Sequence, residues 1–68
     1  MATVARVTEI SSRSEQSFED DVKVGLERAH KTLRGVKSAW IKEQRVDVEN
    51  GRIVGYQVNL LVTFVMED

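Results

Sequence analysis

The sequence predicts an α+β chain of β-α-β-β order, with a three-stranded antiparallel sheet in the order 1-3-2 wrapped on one amphipathic helix. Three observations predict it. A β-branched segment opens the chain from Thr3 to Ile10. Phe18, Val22, Gly25, Leu26, Ala29 and Leu33 then recur at steps of three and four, the period of a helix face. Finally, two long strand-like runs flank Asn50-Gly51, the pair that a type I′ hairpin turn selects because both of its central residues need positive φ.

The elements follow in chain order. Thr3 to Ile10 reads as the first strand, although Val4, Val7 and Ile10 do not keep a period of two and leave its facing open. Ser11-Ser12-Arg13-Ser14 reads as punctuation. Ser14 is the expected N-cap of a helix over residues 15–34, with Glu15, Glu19 and Asp20 near its positive end. Glu19 with Lys23 and Glu27 with Lys31 are spaced as i,i+4 pairs on the wet side, and Gly35 supplies the stop.

A two-residue turn at Asn50-Gly51 sets Glu49 opposite Arg52, and the pairing runs outward from there. Ser38 then lies opposite Thr63, Trp40 opposite Leu61, Lys42 opposite Asn59 and Gln44 opposite Gln57, all on one face. The other face carries Ala39 and Ile41 opposite Val62 and Leu60, with Val54, Tyr56, Val58 and Phe64, and is expected to pack the helix. Because a strand-helix-strand unit makes the first two strands parallel, the simplest sheet places the third and most apolar strand between them.

Lengths carry a functional consequence. A helix of about 20 residues spans about 30 Å, whereas strands of about 13 to 15 residues span roughly 43 to 50 Å. The hairpin should therefore outrun its helix, leaving Val46, Val48, Val54 and Tyr56 uncovered. Sixty-eight residues form one domain, 1–68, and a domain this small buries only about 60% of its unfolded surface. With no cysteine and a single His, His30, neither disulfides nor a zinc cluster can support it. Homo-oligomerisation is the remaining device.

Several function classes are excluded. Net charge is −1 with acids and bases interleaved, so the basic footprint of a nucleic-acid binder is missing. The longest apolar run, Val58 to Met66, is interrupted by Asn59 and Thr63 and is far short of the roughly 20 residues of a membrane helix. Met1 to Ile10 has no apolar core of a signal peptide, and the absence of cysteine fits a reducing cytoplasm. No nucleophile-base-orienter set and no glycine-rich phosphate loop is present, so no enzyme is expected.

Placed on these elements, the chain resembles the dodecin family. The carriers are Arg6-Val7-Thr8-Glu9-Ile10, Ser14, Arg28-Ala29, Lys31-Thr32-Leu33-Arg34, Lys42-Glu43, Arg45, Tyr56-Gln57-Val58 and Phe64, at unbroken spacing. The resemblance implies a subunit of a hollow shell of twelve copies that stores flavin (FMN or riboflavin) without turnover. It also implies a tryptophan on strand two stacked on the isoalloxazine ring and a glutamine on strand three bonded to its polar edge. Gln57 occupies the glutamine position. The tryptophan position is held by Ser38, and Trp40 stands two residues further on, on the same face and about 7 Å along the strand. Ser38, Trp40 and Gln57 are thus the candidate ligand residues.

Trp40 suits an aromatic platform or a subunit-interface anchor, and Gln57 a flavin edge or a cross-hairpin pair. The stretch Ala39 to Gln44 looks closer to a calcium-associated branch that lacks the flavin tryptophan. A divalent ion shared between copies through Glu43, Asp47 or Glu49 is therefore the alternative, since one chain offers too few oxygens for calcium. The bland reading of Arg45, Asp47, Glu49 and Arg52 is inter-subunit ion pairing.

Overall fold

Three antiparallel strands, the third in the chain lying between the first two, pack against one helix, as the sequence predicts. The computed structural model describes residues 3–65. In chain order the elements are β1 (Ala5–Ser14), α1 (Phe18–Thr32), β2 (Val36–Glu49) and β3 (Arg52–Val65).

β1 runs four residues beyond the expected end at Ile10. Ser11 to Ser14 pair with Asn59 to Tyr56 instead of forming a loop, so ladder pairing outweighs the weak strand preference of serine. The even-numbered side chains Ser12 and Ser14 turn toward the helix and are buried. Their small size has a use there. A Cβ at Gly25 would lie 3.2 Å from the Ser12 Cβ, so glycine and serine together set the close approach of α1 to β1.

This extension displaces the helix start. Ser17, not Ser14, is the N-cap, its Oγ accepting from the Asp20 amide at 3.0 Å. Ser14 Oγ accepts from the Gln16 amide at 2.9 Å and donates to Asp20 Oδ2 at 2.6 Å, bracing the strand-to-helix corner. The helix ends where Leu33 N–H closes on Ala29 O, and Gly35 takes the left-handed φ of +71° that leads into β2. Neither expected i,i+4 pair forms among the described residues, whose ion pairs all lie on the sheet.

Asn50 and Gly51 both have positive φ, 51° and 74°, as the hairpin turn requires. The pairing at Glu49–Arg52 and from Ser38 to Ile41 matches the expectation, but the segment between them is shifted. Val54 on β3 and Lys42 on β2 are each skipped by the ladder, and the two bulges cancel. Between them Glu43 replaces Lys42 opposite Asn59, and Arg45 replaces Gln44 opposite Gln57. A one-residue slip exchanges faces, so Gln44 leaves the Gln57 face and pairs with the core residue Val58.

The core sits between β3 and α1. Val58, Leu60, Val62 and Ala29 are buried, with Ile10, Phe18, Val22, Leu26, Leu33, Val36 and Ala39 packed around them. The helix also buries Asp21 completely, at 0% exposure, and neither carboxylate oxygen has a hydrogen-bond partner. Burial raises its pKa above the usual carboxylate range, with the neighbouring Asp20 adding to the rise and Arg13 opposing it.

A helix of 15 residues spans only about 22 Å, against about 48 Å for strands of 14. The molecule is accordingly elongated, 52 × 20 × 13 Å. Val46, Val48, Ile53 and Val54 extend past the helix and are exposed. Tyr56 was expected among them but is covered: the Phe18 ring meets it edge-on with centroids 5.1 Å apart. Ile41 lies on the helix side of the sheet and is still exposed, because α1 packs mainly on β1 and β3.

Candidate functional site

The face of the sheet away from the helix has no covering element. From β3 it gathers Gln57, Asn59, Leu61 and Thr63, and pairing adds Arg45, Glu43, Trp40 and Ser38 from β2. β1 supplies Glu9, Ser11 and Arg13 from the other edge. Alternation along each strand places all of them on one side.

Polar side chains cross this face from one edge strand to the other. Lys42 Nζ donates to Glu9 Oε1 at 3.1 Å, spanning β3 entirely. Arg45 Nη2 donates to Gln57 Oε1 at 3.0 Å, and Gln57 Nε2 donates to Ser11 Oγ at 2.9 Å. Arg13 Nε reaches Asp47 Oδ2 at 3.0 Å, and Arg45 Nε stands 3.7 Å from Asp47 Oδ1. The Arg13 guanidinium lies directly over Gly55, where any Cβ would collide with it. These exposed pairs contribute roughly 0–1 kcal/mol each, so their main effect is to order the surface. Asp47 is thus paired within the chain to both Arg13 and Arg45.

The three candidate residues are on the expected side but well separated. Trp40 faces Leu61, four residues from Gln57 on β3, a separation of about 13 Å. Ser38 faces Thr63, six residues from Gln57, or about 20 Å. Trp40 is 66% exposed, and its ring is available for stacking. Near Gln57 there is a cleft of about 140 Å³ lined by Glu43, Gln44, Arg45, Gln57 and Asn59, with Asn59 Oδ1 buried and unpartnered. That volume is below the roughly 300 Å³ at which small-molecule pockets begin. Within one protomer this cleft is too small to enclose a small molecule.

Ser11, Arg45 and Asp47 were not read from the sequence as neighbours of Gln57. Ser11 has the composition of a loop, and the bulge that skips Val54 brings Arg45 opposite Gln57, with the neighbouring Gly55 as its one sign in the sequence. Among the described residues no group of three or more His, Cys, Asp or Glu side chains could hold a metal ion, and no helix is long and apolar enough to cross a membrane.

The β-α-β-β chain thus has one sheet face closed by a helix and the other open, polar and aromatic. Comparison with known proteins gives the family. The chain belongs to the dodecin family, whose profile matches residues 4–67. Among solved structures it is similar to dodecin from Streptomyces coelicolor, with 29% identity, a TM-score of 0.89 and coverage of 97% of this chain and 94% of that one. It is also similar to a variant of the Thermus thermophilus dodecin, with 33% identity, a TM-score of 0.90 and 98% coverage of each chain. The calcium dodecin of Mycobacterium tuberculosis, described with a calcium-binding site, matches at 29% identity and a TM-score of 0.79, over 96% of this chain and 93% of that one. No curated protein matches at a significant level.

Proposed function

We propose that the chain is the subunit of a hollow, cytoplasmic homododecamer that binds and sequesters flavin, FMN or riboflavin, without catalysis. The observation that carries this reading is the open sheet face of a dodecin-family chain bearing both an exposed Trp40 and a Gln57 with hydrogen-bonding capacity to spare. Trp40 offers a face for the isoalloxazine ring, and Gln57 offers an edge for its polar end. Because about 13 Å separates them within one chain, the ring rests on residues of two copies. Ser38, at the family's tryptophan position, provides a hydroxyl beside the ring in place of an aromatic wall.

Assembly is supported by two further surfaces. The hairpin end exposes Val46, Val48, Ile53 and Val54. A groove of about 490 Å³ runs between β1 and α1 past Thr8, Ile10, Gly25, Ala29 and Leu33. Both are apolar surfaces of the kind that contacts between copies remove from water.

Titrating FMN or riboflavin with protein while following flavin fluorescence tests the proposal. Stacking on Trp40 predicts quenching at micromolar protein, and unchanged emission overturns the flavin reading. The second reading, a flavin-free shell holding a divalent ion such as calcium between copies, is favoured by Ser38 and by the likeness to the calcium dodecin. Asp47 is already held by Arg13 and Arg45, which leaves Glu43 and Glu49 as the carboxylates to share. A thermal midpoint that is the same in calcium and in EDTA counts against it.

A further inference from the structure

Gln57 is held at both ends of its amide, and the two holders come from opposite edge strands. Arg45 on β2 donates to Oε1 at 3.0 Å, and Nε2 donates to Ser11 Oγ on β1 at 2.9 Å. The terminal torsion of a glutamine is broad and roughly two-fold, so an unheld amide presents its oxygen and nitrogen in either order. An arginine can only donate, which requires the oxygen on the β2 side. A serine hydroxyl can accept, which suits the nitrogen on the β1 side. The two holders differ in firmness. Arg45 is long, exposed and shared with Asp47, whereas Ser11 is a short side chain set on a paired strand.

Both amide atoms keep capacity after these bonds. The oxygen has a second lone pair and the nitrogen a second hydrogen. Side by side, these complement a ring edge in which an N–H stands next to a C=O. We infer that Ser11 is a positioning residue for ligand recognition: with Arg45 setting which amide atom lies toward β2, Ser11 anchors the Gln57 amide in that orientation, so that the open face selects a flat heterocycle with a lactam or imide edge, N–H toward β2 and C=O toward β1. The inference deepens the flavin reading and rests on it, since the pyrimidine ring of isoalloxazine carries such an imide edge. A site built around a donor and an acceptor rejects an analogue lacking its counterpart, because the protein groups are then left unpaired.

The test pairs a binding measurement with a direct view of the amide. Riboflavin and N3-methylriboflavin are titrated into wild type, Ser11→Ala and Ser11→Thr. The Gln57 side-chain amide hydrogens are followed by ¹⁵N-resolved NMR of the ligand-free assemblies. The expected result is one slowly exchanging Gln57 hydrogen in wild type, lost in Ser11→Ala and kept in Ser11→Thr. Riboflavin affinity should fall about fivefold in Ser11→Ala, the scale of one net hydrogen bond, and recover in Ser11→Thr with an unchanged thermal midpoint. N3-methylriboflavin should bind wild type more weakly than riboflavin does. Equal riboflavin affinity in wild type and Ser11→Ala, or Gln57 signals indifferent to the substitution, overturns the inference. If wild type ignores riboflavin, the flavin reading fails and the ligand half of the inference with it, while the amide signals still decide the lock.

Discussion

Removing the Asp21 carboxylate should stabilise the protein at neutral pH, and the gain should shrink in acid. Asp21 is fully buried against the sheet with both oxygens unpartnered. A buried polar group without a partner costs about 1–3 kcal/mol, and more when charged. Its folded-state pKa is raised, first by burial and then by Asp20. Well above that raised value the group is ionised in both the folded and unfolded states, and folding carries the full cost of burying the charge. Below the ordinary carboxylate range it is protonated in both states and the charge term is gone. Stability from this group therefore rises as pH falls between those limits, the reverse of an ion-paired aspartate.

Asp21→Ala removes the unpaired group and leaves only a small void, so a gain of about 1–3 kcal/mol is expected at pH 7. The assay is thermal unfolding of wild type and Asp21→Ala at one fixed subunit concentration across pH 4 to 8, because assembly makes the midpoint concentration-dependent. Acid also protonates Glu9 and Asp47, which are ion-paired, so the difference between the two proteins is the quantity to read. Asp21→Asn, neutral but still polar, should recover part of the gain. A difference that does not change with pH, or an Asp21→Ala variant less stable at pH 7, refutes the reasoning.

Other outcomes follow from the same geometry. Leu60→Ala empties the centre of the core and should lower stability by about 2–5 kcal/mol, measured by denaturant unfolding at fixed subunit concentration. Gly55→Ala should push Arg13 off Asp47 with a loss under about 1 kcal/mol, and a double-mutant cycle with Asp47→Ala should show the two effects to be coupled. Trp40→Ala should abolish flavin quenching, while Ser38→Trp, restoring an aromatic wall on the same face, should tighten FMN binding about tenfold. Both are read by fluorescence titration.

The strand order and the hairpin were legible because their signals are local. Asn50-Gly51 admits one turn, and the stripe from Phe18 to Leu33 admits one helix face. The limits of β1 and α1 were not legible, since Ser11 to Ser14 has the composition of a loop and becomes strand only through pairing with Asn59 to Tyr56. The pairing shift between the bulges moved Arg45 beside Gln57. Gly55 inside an otherwise continuous strand was its one available sign, and it stands next to the skipped Val54. Asp21 was hidden for another reason: an acid in the first helical turn looks like a solvated partner of the helix dipole, and only packing shows that it faces the sheet. On the open sheet face, the common side of Ser38, Trp40 and Gln57 was legible from alternation alone. Their separation within one chain needed the register.

The central claim is that a hairpin outrunning its helix makes this chain one part of a closed, flavin-holding shell. Native mass spectrometry of the purified protein tests both halves together. The account predicts a species of twelve chains of 7.7 kDa carrying additional mass in whole-flavin steps. A monomer or dimer without bound ligand contradicts it.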